Sequence, residues 1–407
     1  MKVTVNKSKA DGIISAPPSK SMAHRYIICA ALADGVSRVS NVDFSEDIKA
    51  TIDCIQTFGA KVSVDGSVVT VDGKNSIFNM SDKTDSKELE FKCRESGSTM
   101  RFFMGIAMML PVKSRFYGSE TLRKRPFGIY EDVLKEENLS FVREEDCIVI
   151  EGGIKKDTYE IPGNISSQFV TGLLLALSLK KEGGRVILSG SIESRSYINM
   201  TIQAMNDFGI KVDWENDNTI RVESNPGYET REIRVEGDYS NAAFLDAFNY
   251  LGGKVKVEDL NEKSLQGDKV YKECFEKLSK GKAAIDIADC PDLGPVLFAV
   301  AAANNGGLFT STARLKIKES DRGSVMCEEL AKFGVKTHME ENSIEIEGSG
   351  LKEPSEELAG HNDHRIVMSL SLLLTLTGGV IDEAEAVRKS YPGFFEDIKK
   401  LGIEVSN

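Results

Sequence analysis

FGAKVSVDGSVVTVDG (residues 58–73), FGIKVDWENDNTIRVES (208–224) and FGVKTHMEENSIEIEG (333–348) repeat one phrase at three places in the chain. Each copy follows an apolar-periodic stretch: IKATIDCIQTF, INMTIQAMNDF or GSVMCEELAKF. The grammar is a helix, a glycine at its C-terminal end, a short alternating strand, a polar turn and a second alternating strand. Weaker copies are ENLSFVREEDCIVIEG (137–152), SKGKAAIDI (279–287) and LGIEV (401–405). With markers at Gly59, Leu139, Gly209, Gly281, Gly334 and Gly402, the period is about 68 residues, one sixth of the 407-residue chain. A period this long, built from helices and strands, predicts duplicated α/β subdomains rather than a thin solenoid.

Six units divide into two lobes of three, which suits a chain too long for one growing core. A boundary is expected in the polar SNPGYETRE stretch, and a second crossing at Pro17-Pro18, where prolines hold an extended connection. One lobe then comprises residues 1–18 with 232–407, the other 19–231. The first strand belongs with the C-terminal lobe, and a cleft between lobes is a favoured ligand site.

The formal net charge of −12 argues against non-specific binding to nucleic acid or an anionic membrane, but not against a local basic pocket. The seven scattered cysteines form no CxxC pair, so neither a zinc ribbon nor a dithiol motif is indicated, and buried thiols in a reducing cytoplasm are expected. MKVTVNKSKADG has no apolar signal region. The uncharged run 366–381 is shorter than a bilayer span of roughly 20 residues and is expected to be a buried helix.

Several local clusters break the repeat grammar. In PPSKSMAHR (17–25), Ser19 or Ser21 caps a helix, and Lys20 and Arg25 add cations near exposed amides. A plain cap and an anion site are both open readings of this stretch. CRESGSTMRFF (93–103) offers a small-residue turn without Walker spacing. TLRKRPFG places Arg123, Lys124 and Arg125 together, most simply as a surface loop. GNISSQF with Ser166, Ser167 and Gln168, and SRSYI with Ser194 and Tyr197, read as further helix starts. In LKIKESDRG (315–323), Lys316 and Lys318 are expected on one face of an alternating strand, with Lys318–Glu319 either a weak surface ion pair or a tuned proton shuttle. HNDHR (361–365) lacks zinc-protease grammar and suits anion recognition; Asp292 in CPDLGP reads as an N-cap, and VRKSYPGFF carries Lys389. Taken together, small or hydroxyl residues with Lys or Arg recur at the starts of apolar helices. That pattern points to substrates with several negative charges.

PPSKSMAHR, SGSTMR, RKRPFG, SSQF, KIKESDR, DHR and KSYPGFF resemble, in this order, the signatures of the 5-enolpyruvylshikimate-3-phosphate (EPSP) synthase family. The resemblance runs from about residue 14 to residue 395. It implies an inside-out α/β barrel in each of two lobes, three βαβαββ units apiece, with the active site in the interlobe cleft. The implied reaction moves the enolpyruvyl group of phosphoenolpyruvate onto the 5-hydroxyl of shikimate 3-phosphate and releases phosphate, without metal or organic cofactor.

By resemblance, Glu319 is the proton donor, Asp292 the acceptor, and Lys20 a third catalytic residue. Phosphoenolpyruvate matches Lys20, Gly97, Arg125, Gln168, Arg322, Arg365 and Lys389. Shikimate 3-phosphate matches Lys20, Ser21, Arg25, Ser166, Ser167, Gln168, Ser194, Tyr197, Asp292 and Lys318. Glu95 stands where the family commonly has Asn, Ser98 replaces Thr, and Arg314 occupies a position that is Asn in some relatives. A cytoplasmic monomer acting on these two small molecules, with no nucleic-acid or membrane partner, is expected. The rivals are UDP-N-acetylglucosamine 1-carboxyvinyltransferase, which typically carries a cysteine in the loop that here reads GSETLRKRPFG, and a non-catalytic binder of phosphorylated metabolites.

Overall fold

A computed structural model describes residues 1–79, 88–348 and 350–406. Its contacts divide the chain into two compact units, Met1–Pro17 with Glu236–Asn407, and Pro18–Val235. Each has its own apolar core.

Three four-stranded sheets build the Pro18–Val235 unit among the described residues. The first has the order Glu232–Arg234, Val36–Ser40, Val68–Asp72, Lys61–Asp65. The second runs Leu89–Lys92, Lys113–Tyr117, Cys147–Glu151, Phe141–Arg143, and the third Thr158–Pro162, Gly184–Ser189, Thr219–Val222, Val212–Trp214. In each, the first two strands are parallel and the remaining pairings antiparallel. In the second and third sheets the parallel pair is joined by a buried crossover helix, Gly97–Ala107 or Ser167–Leu177, whereas the hairpin closes through a short polar turn.

The other unit repeats this plan with two variations. Ala283–Asp286, Gly306–Thr310, Ser343–Glu347 and Thr337–Met339 form one regular sheet. In the next, Val3–Val5 lies antiparallel to both Gly379–Asp382 and Val405–Ser406, so the N-terminal strand completes a sheet whose other strands begin at Leu358. Among the described residues the third contains only Asp11–Ser15 parallel to Lys254–Glu258.

That two-stranded sheet corrects the reading of SKGKAAIDI. After helix Tyr271–Lys280, Gly281 leads directly into Ala283–Asp286, the first strand of the next sheet. The hairpin is missing, which is why the Gly281 marker stands close to Gly334. The weak marker at Leu139 has another cause: Asn138 takes the left-handed conformation (φ 57°) that glycine supplies in the strong copies, as at Gly59 (φ 94°) and Gly209 (φ 86°).

Two local expectations also fail. Residues 313–317 form a short 3-10 helix rather than a strand. Strand Gly306–Thr310 is already paired on both edges, so no edge there is left for a further strand. The apolar run after Arg365 is helical only to Thr377; Gly378 (φ 74°) turns the chain into strand Gly379–Asp382. No helix among the described residues is long and apolar enough to cross a membrane.

The crossover helices are apolar on nearly every side, as helices in the middle of a core must be. Helices Gly97–Ala107 and Ser167–Leu177 approach most closely where Gly105 faces Gly172. A Cβ on Gly105 would lie 2.5 Å from the Gly172 carbonyl carbon and oxygen. Gly105→Ala should therefore destabilise the protein by about 1–3 kcal/mol in urea denaturation, because the obstacle is backbone and cannot rotate away. An unchanged midpoint would mean that the two helices separate freely.

Candidate active site

Each unit gathers its own share of the expected residues at helix N-termini. In the Pro18–Val235 unit, Ser19 caps helix Lys20–Leu32 by accepting from the Met22 amide. Lys20, in the first turn, lies 2.9 Å from Asp47 Oδ2 with both side chains largely buried. Ser96 caps the Gly97–Ala107 helix and Ser166 the Ser167–Leu177 helix. Ser194 precedes helix Arg195–Asp207 in a left-handed conformation (φ 55°) and does not cap it with its side chain.

Gly97 is required by what stands over it: a Cβ there would come within 2.7 Å of an Arg125 Nη1. Glycine thus lets the Arg125 guanidinium lie against a helix N-terminus, where an anion is favoured. Of its neighbours in the basic run, Arg123 donates to the Gly118 carbonyl and Lys124 pairs with Glu120 at the surface. Next to Gly97, Arg101 Nη1 donates to Gln168 Oε1 (2.5 Å) and Gln168 Nε2 to Ser98 Oγ (2.9 Å), which orients the amide.

Arg25 is buried and ties three helices together. Its Nε donates to Thr201 Oγ1 (2.8 Å), its Nη1 to the Ser21 carbonyl (2.7 Å), and its Nη2 to the Tyr197 carbonyl (3.0 Å) and Thr171 Oγ1 (3.4 Å). Burial brings its guanidinium down to about 10, still charged at neutral pH. Burial, with Lys20 and Arg25 nearby, also holds His24 well below the usual histidine range, so it is a neutral ring bonded to Thr51 Oγ1 at 2.6 Å.

In the other unit, charges concentrate on Arg322, the first residue of helix Arg322–Lys332. Its guanidinium donates from Nε to Asp363 Oδ2 (2.8 Å), from Nη1 to Asp292 Oδ1 (2.9 Å) and from Nη2 to Glu319 Oε2 (2.6 Å). Its side chain is 1% exposed, and that of Asp363 0%. Asp292 also receives Lys318 at 3.0 Å and Arg365 at 3.2 Å. It is therefore the centre of a cation cluster and not a plain N-cap, and Lys318 pairs with it rather than with Glu319. Arg365 Nε and Nη1 are buried and make no hydrogen bond among the described residues. Lys389 donates to the Asn362 carbonyl at 2.6 Å.

Burial alone would push the Asp292 carboxyl up; Arg365, Lys318 and Arg322 outweigh it and hold it well below the usual range. For Asp363, too, burial raises and Arg322 more than compensates. Lys318 moves the other way, lowered by burial and by Arg314 and Arg322 despite Asp292. The carboxylates thus add stability that is present above their unfolded pKa and lost as pH falls through the lower folded values.

The structure assembles several residues that motif reading did not single out. Asp363 lies inside the DHR motif, yet its tie to Arg322 spans 41 residues. Arg101 lies inside SGSTMR, and Asp47 carries no motif at all. Each holds a named residue in place across the fold, which local spacing does not reveal.

Two units of repeated small α/β sheets, with cations collected at helix starts, define a binder of small multiply charged anions. The chain belongs to the EPSP synthase (3-phosphoshikimate 1-carboxyvinyltransferase) family, whose model matches residues 5–398. It is 38% identical to a 3-phosphoshikimate 1-carboxyvinyltransferase of Clostridium perfringens, with 98% of each chain covered. It is 36% identical to one of Clostridioides difficile, with 97% and 96% covered. Its fold matches that of an EPSP synthase of Acinetobacter baumannii at TM-score 0.78 and 24% identity, covering all of both chains. The enolpyruvyl transferase NikO of Streptomyces tendae matches at TM-score 0.76 and 11% identity, covering 100% and 98%.

Replacing Arg322 by Leu should cost about 3–5 kcal/mol of stability, because Asp363 is left buried without its counter-charge. Without that cation, burial raises the Asp363 pKa, so the penalty grows as pH rises from about 4 to about 7. Denaturant melts of both proteins at the two pH values check this; an equal penalty at both would mean that Asp363 keeps its charge compensated by other groups.

Proposed function

We propose that this protein catalyses transfer of the enolpyruvyl group of phosphoenolpyruvate to the 5-hydroxyl of shikimate 3-phosphate, with release of phosphate, a step towards chorismate. The observation that carries this beyond family membership is Arg365: two buried guanidinium donors without partners, beside an ionised Asp292. Such donors are costly to leave unsatisfied, and an anionic ligand satisfies them.

In this reading the expected residues divide between the two substrates. Lys20, Gly97, Arg125, Gln168, Arg322, Arg365 and Lys389 hold the phosphate and carboxylate of phosphoenolpyruvate. Lys20, Ser21, Arg25, Ser166, Ser167, Gln168, Ser194, Tyr197, Asp292 and Lys318 take shikimate 3-phosphate. The 5-hydroxyl oxygen bonds to C2 of the enol while its proton passes to a base and C3 gains a proton, becoming a methyl group. The C2–O bond to phosphate then breaks as a proton leaves the methyl group, restoring the enol ether.

Asp292 suits the base, since three cations keep it ionised. Glu319 suits the group that protonates C3. It shares Arg322 with Asp292 and Asp363, and an incoming anion that engages Arg322 weakens that hold and raises the proton affinity of Glu319. No cofactor is invoked for this sequence of steps. The same reading makes the protein a cytoplasmic monomer; its seven free cysteines suit a reducing compartment.

Phosphate release from phosphoenolpyruvate should require shikimate 3-phosphate, and UDP-N-acetylglucosamine should not replace it. Asp292→Asn should lower kcat by about 10²–10⁴-fold in the same phosphate assay. Full turnover by that variant would remove Asp292 from the proton transfer.

A further inference from the structure

Helix Arg322–Lys332 carries a second buried charge that no step of the reaction uses. Glu329 lies two helical turns beyond Arg322 on the same face, and its side chain is 0% exposed. Its Oε1 faces Lys332 Nζ at 3.0 Å and His361 Nε2 at 2.9 Å, and its Oε2 accepts from the Ala359 amide at 3.1 Å. Burial pushes this carboxyl up, but His361, Lys332 and the amide outweigh it and keep it ionised.

Lys332 closes the same helix, whereas Ala359 and His361 lie just before the His364–Thr377 helix, at the end of strand Leu358–Ala359 and in the turn that follows it. His361 (φ 51°) and Asn362 (φ 50°) are consecutive left-handed residues, neither of them glycine, a conformation that the surroundings must impose. Directly after them, Asp363 accepts from the Arg365 amide and grips Arg322. The Asn362 carbonyl takes Lys389, and the Asn362 amide donates to Glu383 Oε2 at 3.3 Å. Helix Arg322–Lys332 thus clamps one short turn at two points, through Arg322 at its start and Glu329 near its end.

We infer that Glu329 is a positioning residue for phosphoenolpyruvate binding: through Ala359 and His361 it sets the left-handed turn on which Asp363, Arg365 and Lys389 depend. A simple structural acid would stabilise the helix and nothing more. A clamp on this turn moves three cations together, since Arg322, Arg365 and Lys389 all bond to residues 362–363 or follow directly from them. The inference rests on the proposed enolpyruvyl transfer for its kinetic consequence, but not for its geometry.

The test uses the full-length chain and the variants Glu329→Ala, Glu329→Gln and His361→Ala. In phosphate-release kinetics, Glu329→Ala should raise KM for phosphoenolpyruvate at least about tenfold while KM for shikimate 3-phosphate stays within about twofold. Glutamine retains an acceptor for the Ala359 amide and should recover most of that loss, with His361→Ala falling in between. A folded Glu329→Ala protein with lower Tm and fewer active molecules but an unchanged KM for phosphoenolpyruvate overturns the inference. If that variant does not fold, His361→Ala decides on the same criterion.

Crystal structures of the variants separate this inference from the proposed function. A rearranged 359–363 turn with a lengthened Arg322–Asp363 contact supports the clamp even where wild-type protein releases no phosphate, a result that would overturn the proposed activity alone. An unmoved turn overturns the clamp whatever the activity.

Discussion

The buried pair between Arg322 and Asp363 is the constraint on which the charge cluster of the Met1–Pro17 and Glu236–Asn407 unit depends. A guanidinium has five donors in a fixed planar fork, and here three carboxylates occupy them: Asp363, Asp292 and Glu319. Asp363 is wholly buried and also accepts from the Arg365 amide, so the direction of the Arg322 fork and the start of the His364–Thr377 helix are set together. A salt bridge this deep is a poor source of net stability, because both charges were better solvated in water. Its value is geometric. The remaining two arms of Arg322 point at the two acids that carry the proposed proton transfers.

The other unit reaches the same end by neutral means. Its site helices are held by close backbone approach at Gly105 and Gly172, and by hydroxyl groups that accept from Arg25. Thr171 and Thr201 also bond each other at 2.7 Å, so three helices share one buried polar knot beneath Ser21 and Tyr197. Here a single cation is ringed by dipoles, whereas around Arg322 the charges themselves interlock. The net charge of −12 conflicts with neither, because the cations are local and most acids lie elsewhere.

Much of this architecture was legible because it repeats. Phe-Gly between a helix and an alternating hairpin is a local signal, and it recurs at Gly59, Gly209 and Gly334. It misled at Gly281, where the helix is followed by the next sheet's first strand, and it faded at Asn138, where asparagine takes glycine's backbone conformation. The expected residues were legible where a motif sets a cation at a helix start, as for Lys20 beside Ser19 or Arg365 in HNDHR. What local reading misassigned was partnership. Lys318 was read beside Glu319 as its sequence neighbour, but residues 313–317 form a short 3-10 helix and Lys318 meets Asp292, 26 positions away in the chain. Glu329 lies in the GSVMCEELAKF stretch and His361 opens HNDHR, but neither phrase signals their pairing, and only folding brings them within hydrogen-bond reach.

The arrangement of acids around the cations also bears on how anions are bound. An anion site with bare cations would repel itself in the ligand-free protein, and each arginine would wander among rotamers. In this protein Asp47 holds Lys20, and Asp292 holds Lys318 and one edge of Arg365. Under the proposed function these acids stand in for the ligand: they keep each cation ordered at the cost of part of its affinity. Binding then exchanges one anion for another instead of ordering a loose side chain, so less conformational entropy is lost on association. The exchange has a chemical consequence at Asp292. In the proposed reaction, substrate phosphate and carboxylate draw these cations away, so the Asp292 carboxyl loses the groups that depressed its pKa and becomes a stronger base.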